Sequence, residues 1–216
     1  YTSLGCPFSC RFCCINSIFG KRGIRYRSPE KVVEEIDFLV KNFRVKNIKI
    51  LDEMFVLGEN HVTGICELII QRGYDLNIWA YARVDTLSEA LLEKMKRAGI
   101  NWLALGIESA SARVRDDTHK GYRQDRIFQA VNLIKHFDIN IVGNYIFGLP
   151  EDDLDSMQAT LDLAFEINAE WANFYCAMAY PGSWLYKRAL QEGWKLPDNW
   201  VAYSQYAENT LPLQTR

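Results

Sequence analysis

Three cysteines near the start of the chain have the spacing of a metal-binding loop. Cys6, Cys10 and Cys13 follow the pattern CxxxCxxC, in a segment whose glycine and proline let the backbone turn. Thiolates are ligands of both zinc and iron–sulfur clusters. Three of them on one short loop would hold three irons of a 4Fe-4S cube and leave the fourth iron open to another ligand. The spacing therefore indicates a cluster with a vacancy suited to chemistry.

Other uses of the cysteines fit less well. A zinc site needs a fourth ligand, and although Cys14 is next in the chain, adjacent side chains point in different directions and no histidine lies nearby. A disulfide framework would spread its cysteines over a small secreted domain, whereas here four fall within nine residues. Cys66 and Cys176 lie in apolar patterns, and we expect both to be packed thiols.

The elements that position this loop alternate in type along the chain. Apolar segments of strand length are followed by helical patterns, which is typical of βα units around a parallel sheet. The first predicted strand ends near residue 4, and the other five cover about 46–51, 77–82, 101–105, 140–146 and 170–176. Three predicted helices begin after Ser28, Ser88 and Ser183, and the other three cover about 59–71, 123–136 and 153–167. Six parallel strands form either an open doubly wound sheet or an incomplete barrel, and periodicity does not choose between them.

Both arrangements bring the loops after the strands to one rim, where ligands bind. The polar residues at these strand ends are Asp52, Glu53, Arg83, Glu108 and Asn144, with Lys120 twelve residues beyond Glu108. Each also has an ordinary structural explanation: acids before a helix complement its dipole, and most surface cations are solvated or paired. His61, His119 and His136 have no useful catalytic spacing, and we expect them at the surface.

The motif CxxxCxΦC, with Phe12 as the aromatic Φ, resembles that of the radical S-adenosylmethionine superfamily. The resemblance extends over residues 2–193, through the cluster loop and then DEMF, GIES, HKG, FGLP and YPGS in order. It implies an α/β fold, a partial TIM-like (β/α)6 barrel with parallel strands. It also implies a 4Fe-4S cluster on Cys6, Cys10 and Cys13, whose open iron binds S-adenosylmethionine and whose electron cleaves it to a 5′-deoxyadenosyl radical that abstracts hydrogen from substrate.

The resemblance also implies roles at the rim. Asp52 and Glu53 would contact the cofactor amino group, and Lys120 its carboxylate. The implied cofactor-binding residues are Phe12, Asp52, Glu53, Arg83, Glu108, Lys120 and Asn144.

Within the superfamily, the motif series is most similar to a branch that often carries a cobalamin-binding domain and methylates unactivated carbons or closes rings. That domain is not among these residues, so any cobalamin would come from a domain outside this chain. The related tRNA methylthiotransferases add a second cluster and an RNA-binding module that the sequence does not show. A different class stays open: an iron–sulfur electron-transfer or metal-binding module, in which a fourth cysteine would be essential.

Composition restricts the partners. The chain has 216 residues and a formal net charge of -2, and its Lys and Arg residues are scattered, so we expect no nucleic-acid partner. No apolar run reaches the roughly 18 residues that span a bilayer, so we expect no membrane partner. No P-loop, GxSxG or dinucleotide GxGxxG follows a strand, which leaves phosphoryl transfer, serine hydrolysis and nicotinamide chemistry without support.

The remaining expectations follow from the resemblance. We expect a small-molecule or peptide substrate, a reductant such as flavodoxin or ferredoxin, and a cytoplasmic location, because such a cluster needs reducing conditions. We expect a radical S-adenosylmethionine core over 1–193 and a C-terminal covering segment over 194–216. The chain begins at Tyr1 directly before the cysteine motif, so we expect it to be a piece of a longer protein.

Overall fold

The computed structural model describes residues 1–207, 213 and 215. Strands and helices alternate along most of the chain. In order they are β1 (Ser3–Leu4), α1 (Ile15–Ile18), β2 (Arg25–Tyr26), α2 (Pro29–Phe43), β3 (Asn47–Lys49), α3 (Glu59–Arg72), β4 (Asn77–Ala82), α4 (Glu89–Arg97), β5 (Ile100–Glu108), α5 (Ala112–Asp117), α6 (Gln124–His136), β6 (Asn140–Phe147), α7 (Leu154–Ile167), β7 (Trp171–Cys176) and α8 (Trp184–Gln191), followed by a 3-10 turn at Val201–Tyr203.

Five parallel strands form one curled sheet, a half-barrel with the strand order β3-β4-β5-β6-β7. The predicted class, an α/β fold built as a partial TIM-like barrel with parallel strands, is confirmed. The described sheet has one strand fewer than the six predicted. The two-residue β1 pairs antiparallel with β2, where Ser3 lies opposite Tyr26, instead of joining the parallel ladder.

Local signals in the sequence set the helix limits. In α2, Ser28 is the N-cap, and its hydroxyl accepts a hydrogen bond from the backbone N–H of Lys31 at 3.4 Å. Pro29 follows as the first helical residue, where its missing N–H costs nothing. Gly73 ends α3 with a φ of 64°, a left-handed conformation that glycine adopts without strain. These limits match the sequence prediction.

The main core lies between the sheet and the helices that pack on its outer face. Along β4, Ile78, Ala80 and Ala82 are buried in the main core, which the strands share with the helices. Trp79 and Tyr81 point to the opposite, concave face, because side chains alternate along a strand. The inside of the half-barrel is therefore the face on which a ligand site can form.

Two described residues of the predicted covering segment belong to a second, smaller core, whereas Trp200 and Tyr206 of the same segment are exposed. Trp194 and Leu213 are buried there with Val114, Leu149 and Leu185. The rest of that segment, residues 208–212, 214 and 216, lies outside the described residues.

Two of the simpler predictions need correction. Cys66 is buried as expected, but Cys176 is exposed, because it lies on β7, the last strand of the parallel sheet as described. His61 is buried rather than at the surface: its Nε2 lies 3.0 Å from the Thr2 hydroxyl and its ring centroid 4.6 Å from that of Tyr26. No helix in the described part of the chain is long and apolar enough to cross a membrane.

Candidate radical cofactor site

The cysteine loop is held in place by three distant parts of the chain. The backbone N–H of Gly23 donates to the carbonyl of Cys6 at 3.3 Å, and the N–H of Arg11 donates to the carbonyl of Thr118 at 3.2 Å. The N–H of Leu185 in turn donates to the carbonyl of Arg11 at 3.0 Å. These bonds fix the backbone on both sides of Cys10, so the fold sets the course of the loop.

The loop begins at a glycine that no other residue can replace without strain. Gly5 has a φ of 93°, and a Cβ there would lie 2.5 Å from the carbonyl oxygen of Gly23. Gly5 therefore lets the backbone turn sharply while it stays close to the returning chain.

The four clustered cysteines line one cavity of about 340 Å³ with most of the predicted cofactor-binding residues. Its lining includes Cys6, Cys10, Cys13, Cys14, Phe8, Phe12, Asp52, Glu53, Arg83 and Lys120. All four thiols are free. Within the described residues no three His, Cys, Asp or Glu side chains are placed to hold a single metal ion.

The donor set fits an iron–sulfur cluster. Soft thiols on a short loop are the ligands that such clusters take. Burial raises the pKa of Cys6, which is only partly exposed. This thiol is therefore protonated near neutral pH in the metal-free protein, and metal ligation would release its proton.

Arg83 connects the end of β4 to the cysteine loop. Its Nη1 lies 3.8 Å from the sulfur of Cys10, and its guanidinium carbon lies 3.9 Å from the centre of the Phe8 ring. Asp85 holds the other side of the guanidinium, accepting from Nε at 2.8 Å and from Nη2 at 2.9 Å. Nη2 also donates to the carbonyl of Lys120 at 3.2 Å. The cation is thus buried, oriented and directed at a thiol.

The two adjacent acids after β3 have different environments. Asp52 is fully buried: its Oδ1 accepts from the N–H of Thr2 at 2.6 Å, and its Oδ2 accepts from the hydroxyls of Thr2 at 2.5 Å and Ser3 at 2.6 Å. Glu53 instead lines the cavity, where its Oε2 accepts from the N–H of Gly5 at 2.9 Å. The Asp52 carboxylate is therefore bonded to Thr2 and Ser3 beside β1, whereas Glu53 keeps one carboxylate oxygen free of the bond to Gly5.

Glu108 and Lys120 form a buried ion pair, with Oε1 and Nζ 2.7 Å apart. Burial by itself lowers the pKa of Lys120, but the charge of Glu108 helps to raise it above its ordinary value, so the amine stays protonated. Glu108 has a φ of 65°, which is uncommon for a residue with a side chain. A Cβ at Gly106 would lie 2.7 Å from Oε1 of Glu108, so the glycine makes room for the pair.

The last predicted residues lie nearby. Asn144 is on the concave face, where its Oδ1 accepts from Nδ2 of Asn173 at 3.0 Å. Phe12 lies with its ring centroid 5.9 Å from Nζ of Lys120. A second cavity of about 370 Å³ adjoins that of the cysteine loop and is lined by Glu53, Arg83, Glu108, Lys120 and Asn144 among others. Every predicted cofactor-binding residue thus lies at one of these two cavities, with the carboxylate of Asp52 bonded to Thr2 and Ser3.

Sequence reasoning missed several residues of the site. Phe8 supports Arg83 from within the cysteine loop, and Asp85 orients it. The hydroxyl of Tyr122 donates to the carbonyl of Gly106 at 2.7 Å and so fixes the end of β5. The i, i+2 spacing of Arg83 and Asp85 was a usable signal. Phe8 and Tyr122 gave none, because their partners are distant in sequence.

Comparison with known protein families gives one match. The family model described as the Radical SAM superfamily matches residues 1–164. Among curated proteins, the chain is 35% identical to an uncharacterized methyltransferase of Pyrococcus horikoshii, over 94% of this chain and 44% of that protein. It is 29% identical to the anaerobic magnesium-protoporphyrin IX monomethyl ester cyclase of Rubrivivax gelatinosus, over 85% of this chain and 33% of that protein.

Two solved structures have the same fold. The radical S-adenosylmethionine methyltransferase TsrM from Kitasatospora setae, solved with cobalamin and a 4Fe-4S cluster bound, gives a TM-score of 0.80 at 19% identity, over 88% of this chain and 36% of that one. The cobalamin-dependent S-adenosylmethionine radical enzyme OxsB, solved with aqua-cobalamin, gives 0.73 at 19% identity, over 92% and 36%. The chain spans less than half the length of each of these four proteins.

Proposed function

Because this chain belongs to the Radical SAM superfamily, we propose that it is the part of an enzyme that binds a 4Fe-4S cluster and reductively cleaves S-adenosylmethionine. When bound, the cluster and this cofactor supply a 5′-deoxyadenosyl radical that abstracts hydrogen from substrate. The observation that carries the proposal is the cavity that the three motif cysteines share with Glu53, Arg83 and Lys120. Three thiols lie there beside an acid and two cations, which suits a cofactor with an amine and a carboxylate.

Three of the four clustered thiols would hold the cluster. Cys6, Cys10 and Cys13 would each bind one iron and give up a proton to do so. Cys14 also lines the cavity and would not bind iron. Arg83 donates toward the sulfur of Cys10 and brings positive charge next to the cluster, which favours its reduced form.

Glu53 and Lys120 would hold the amino acid moiety of the cofactor. Glu53 would accept from the amino group through the carboxylate oxygen that is not bonded to Gly5. Lys120 has three N–H donors, one of which points to Glu108, so it could keep that ion pair and still bind the cofactor carboxylate. Asn144, which lines the adjoining cavity, would bind the ribose hydroxyls.

The overall reaction is a methyl transfer or a ring closure. Relatives are named methyltransferases and cyclases, and both solved neighbours described above contain cobalamin. For this protein we place any cobalamin on a domain outside these residues. Residues 1–193 form the radical S-adenosylmethionine core, and residues 194–216 form a C-terminal segment that covers it. The substrate is a small molecule or peptide, the reductant is a flavodoxin or ferredoxin, and the location is the reducing cytoplasm.

The test is anaerobic reconstitution with iron and sulfide, followed by reduction in the presence of S-adenosylmethionine and chromatography for 5′-deoxyadenosine. We expect product from the wild type and none from a Cys10→Ala variant. Cys14→Ala and Cys176→Ala serve as matched controls and should assemble a cluster and cleave the cofactor. An intact cluster that neither binds nor cleaves S-adenosylmethionine, or a fourth essential cysteine, would overturn the proposal in favour of an electron-transfer or metal-binding module.

A further inference from the structure

A third cavity, of about 550 Å³, lies on the concave face at the end of the strands away from the cysteine loop. Three tryptophans, Trp79, Trp102 and Trp171, line it. Trp79 is the register partner of Trp102 on the neighbouring strand, and Trp171 is the partner of Val142. The three tryptophans therefore lie on β4, β5 and β7 along one end of the concave face, and we call this set of three residues the aromatic floor.

The aromatic floor is continuous with the cofactor site. Lys49, Trp79 and Asn173 line both this cavity and the adjoining cavity that contains Glu108 and Lys120. Asn77, at the start of β4, and Arg83, at the cysteine loop, are six residues apart, which is about 20 Å of extended strand. An elongated molecule can therefore lie on the aromatic floor and still extend along β4 toward the cysteine loop.

Two of the tryptophans contact neighbouring side chains, and Trp171 keeps exposed aromatic surface. The edge of Tyr81 packs against Trp79 with ring centroids 4.3 Å apart and planes at 84°. The indole N–H of Trp171 donates to Oδ1 of Asn173 at 2.9 Å, so its polar group is satisfied. Trp171 is nonetheless 62% exposed. Exposed aromatic surface inside a concave cavity is characteristic of ligand sites.

The charge that lines this cavity is positive. Lys49 is the only charged residue lining it among the residues described, and its Nζ lies 4.2 Å from the centre of the Trp79 ring. The other polar groups of the lining are the amides of Asn47, Asn77 and Asn173. A flat, electron-rich ligand with an anionic substituent would meet ring faces, neutral amides and one cation.

We propose that the aromatic floor binds a planar conjugated ring of the substrate that carries a carboxylate, with Lys49 as the partner of that carboxylate. The ring stacks on the indoles while the carbon that reacts points along β4 toward the cysteine loop. This inference rests on the proposed function and adds the class of substrate to it.

The experiment measures binding to the protein without its cluster. Protoporphyrin IX, a planar dicarboxylate, is the probe, and quenching of tryptophan fluorescence with the shift of the porphyrin absorption band is the readout. Two comparison ligands separate the ring from the charge: the porphyrin dimethyl ester lacks the carboxylates, and dodecanoate lacks the ring. The variants are Trp171→Ala, Trp102→Leu and Lys49→Gln, with Trp200→Ala and Lys46→Gln as matched controls outside the cavity.

We expect Trp171→Ala and Trp102→Leu each to weaken porphyrin binding about tenfold. Lys49→Gln should weaken binding of the dicarboxylate and leave the ester unchanged, while both controls bind as the wild type does. Any of four results would overturn the inference. The protein fails to bind porphyrin, all variants bind it equally, or dodecanoate binds as tightly as porphyrin. The fourth is a dimer in sedimentation that Trp171→Ala and Trp102→Leu dissociate. Because no radical chemistry is measured, failure here is distinct from failure to form 5′-deoxyadenosine.

Discussion

The guanidinium of Arg83 reaches the thiol of Cys10 across 73 positions of sequence, with Nη1 and Sγ 3.8 Å apart. Asp85 and Phe8 hold the cation in this position. The relationship joins the end of a barrel strand to the middle of the cysteine motif. It places the positive charge of Arg83 against one of the three thiols that we propose as cluster ligands.

Replacing Arg83 by glutamine should lower the reduction potential of the reconstituted cluster. The N–H donor and the positive charge both stabilise the more negative, reduced cluster, and loss of a charge-assisted hydrogen bond of roughly 1.4 kcal/mol corresponds to about 60 mV for one electron. Redox titration followed by electron paramagnetic resonance measures the shift. Arg123→Gln, at a side chain that is 88% exposed, is the control. An unchanged potential with a full cluster would show that Arg83 does not act on Cys10.

Asp52 and Glu53 should respond differently to loss of charge. Asp52→Asn places an amide against the donors of Thr2 and Ser3, so we expect the free energy of unfolding to fall by about 2–3 kcal/mol. Glu53→Gln should change stability by only about 0.5 kcal/mol yet weaken S-adenosylmethionine binding. Urea denaturation and equilibrium dialysis measure the two effects. Weaker cofactor binding by a fully stable Asp52→Asn protein would assign the amine contact to Asp52 instead.

The Lys120–Glu108 pair allows stability and binding to be separated. Lys120→Ala should weaken S-adenosylmethionine binding and spare the cluster. It should also lower stability by about 3–5 kcal/mol, because it leaves Glu108 buried without its partner. The double variant Lys120→Met with Glu108→Gln should recover most of the stability but not the cofactor affinity. Wild-type affinity in that double variant, measured by dialysis on the reconstituted protein, would remove Lys120 from the binding site.

The carboxylate of Asp37 should make stability depend on pH. It accepts from Nε of Arg72 at 2.7 Å and from the hydroxyl of Tyr74 at 2.9 Å. Burial alone would raise the pKa of Asp37, but Arg72 and Tyr74 lower it below its ordinary value. Since the pKa is lower in the folded state, the contribution is complete above the unfolded value of about 3.9 and is lost as pH falls through the folded value.

Asp37→Asn should therefore cost about 1 kcal/mol at pH 7, a modest value because solvent screens the pair, and progressively less in acid. Urea denaturation of both proteins between pH 7 and pH 2 measures the difference. A difference that grows as the pH falls would contradict the assignment.

Elements with local signals were predictable from the sequence. The limits of β4 were predicted without error, and the start of α2 followed from Ser28 and Pro29. These signals lie within a few residues of the structure that they determine. The cysteine motif and the polar strand ends were equally visible, because their chemistry depends on residue type and order along the chain.

The partners of the polar residues were not predictable. Asp52 and Glu53 are neighbours of the same chemical type, and only the direction of the chain after β3 turns one toward Thr2 and the other toward the cavity. The aromatic floor was also hidden, since Trp79 and Trp171 belong to strands far apart in sequence that the curl of the sheet brings to one cavity. Contacts of this kind depend on tertiary geometry.

The bonds that hold the cysteine loop have a consequence for the order of folding. The cysteine loop is bonded to Thr118 and to Leu185, so the chain must be synthesised as far as Leu185 before the loop can take its final course. Contacts of such long sequence separation form late, because a large loop must close first. The three motif cysteines are therefore expected to reach their final positions only after α8 has been made.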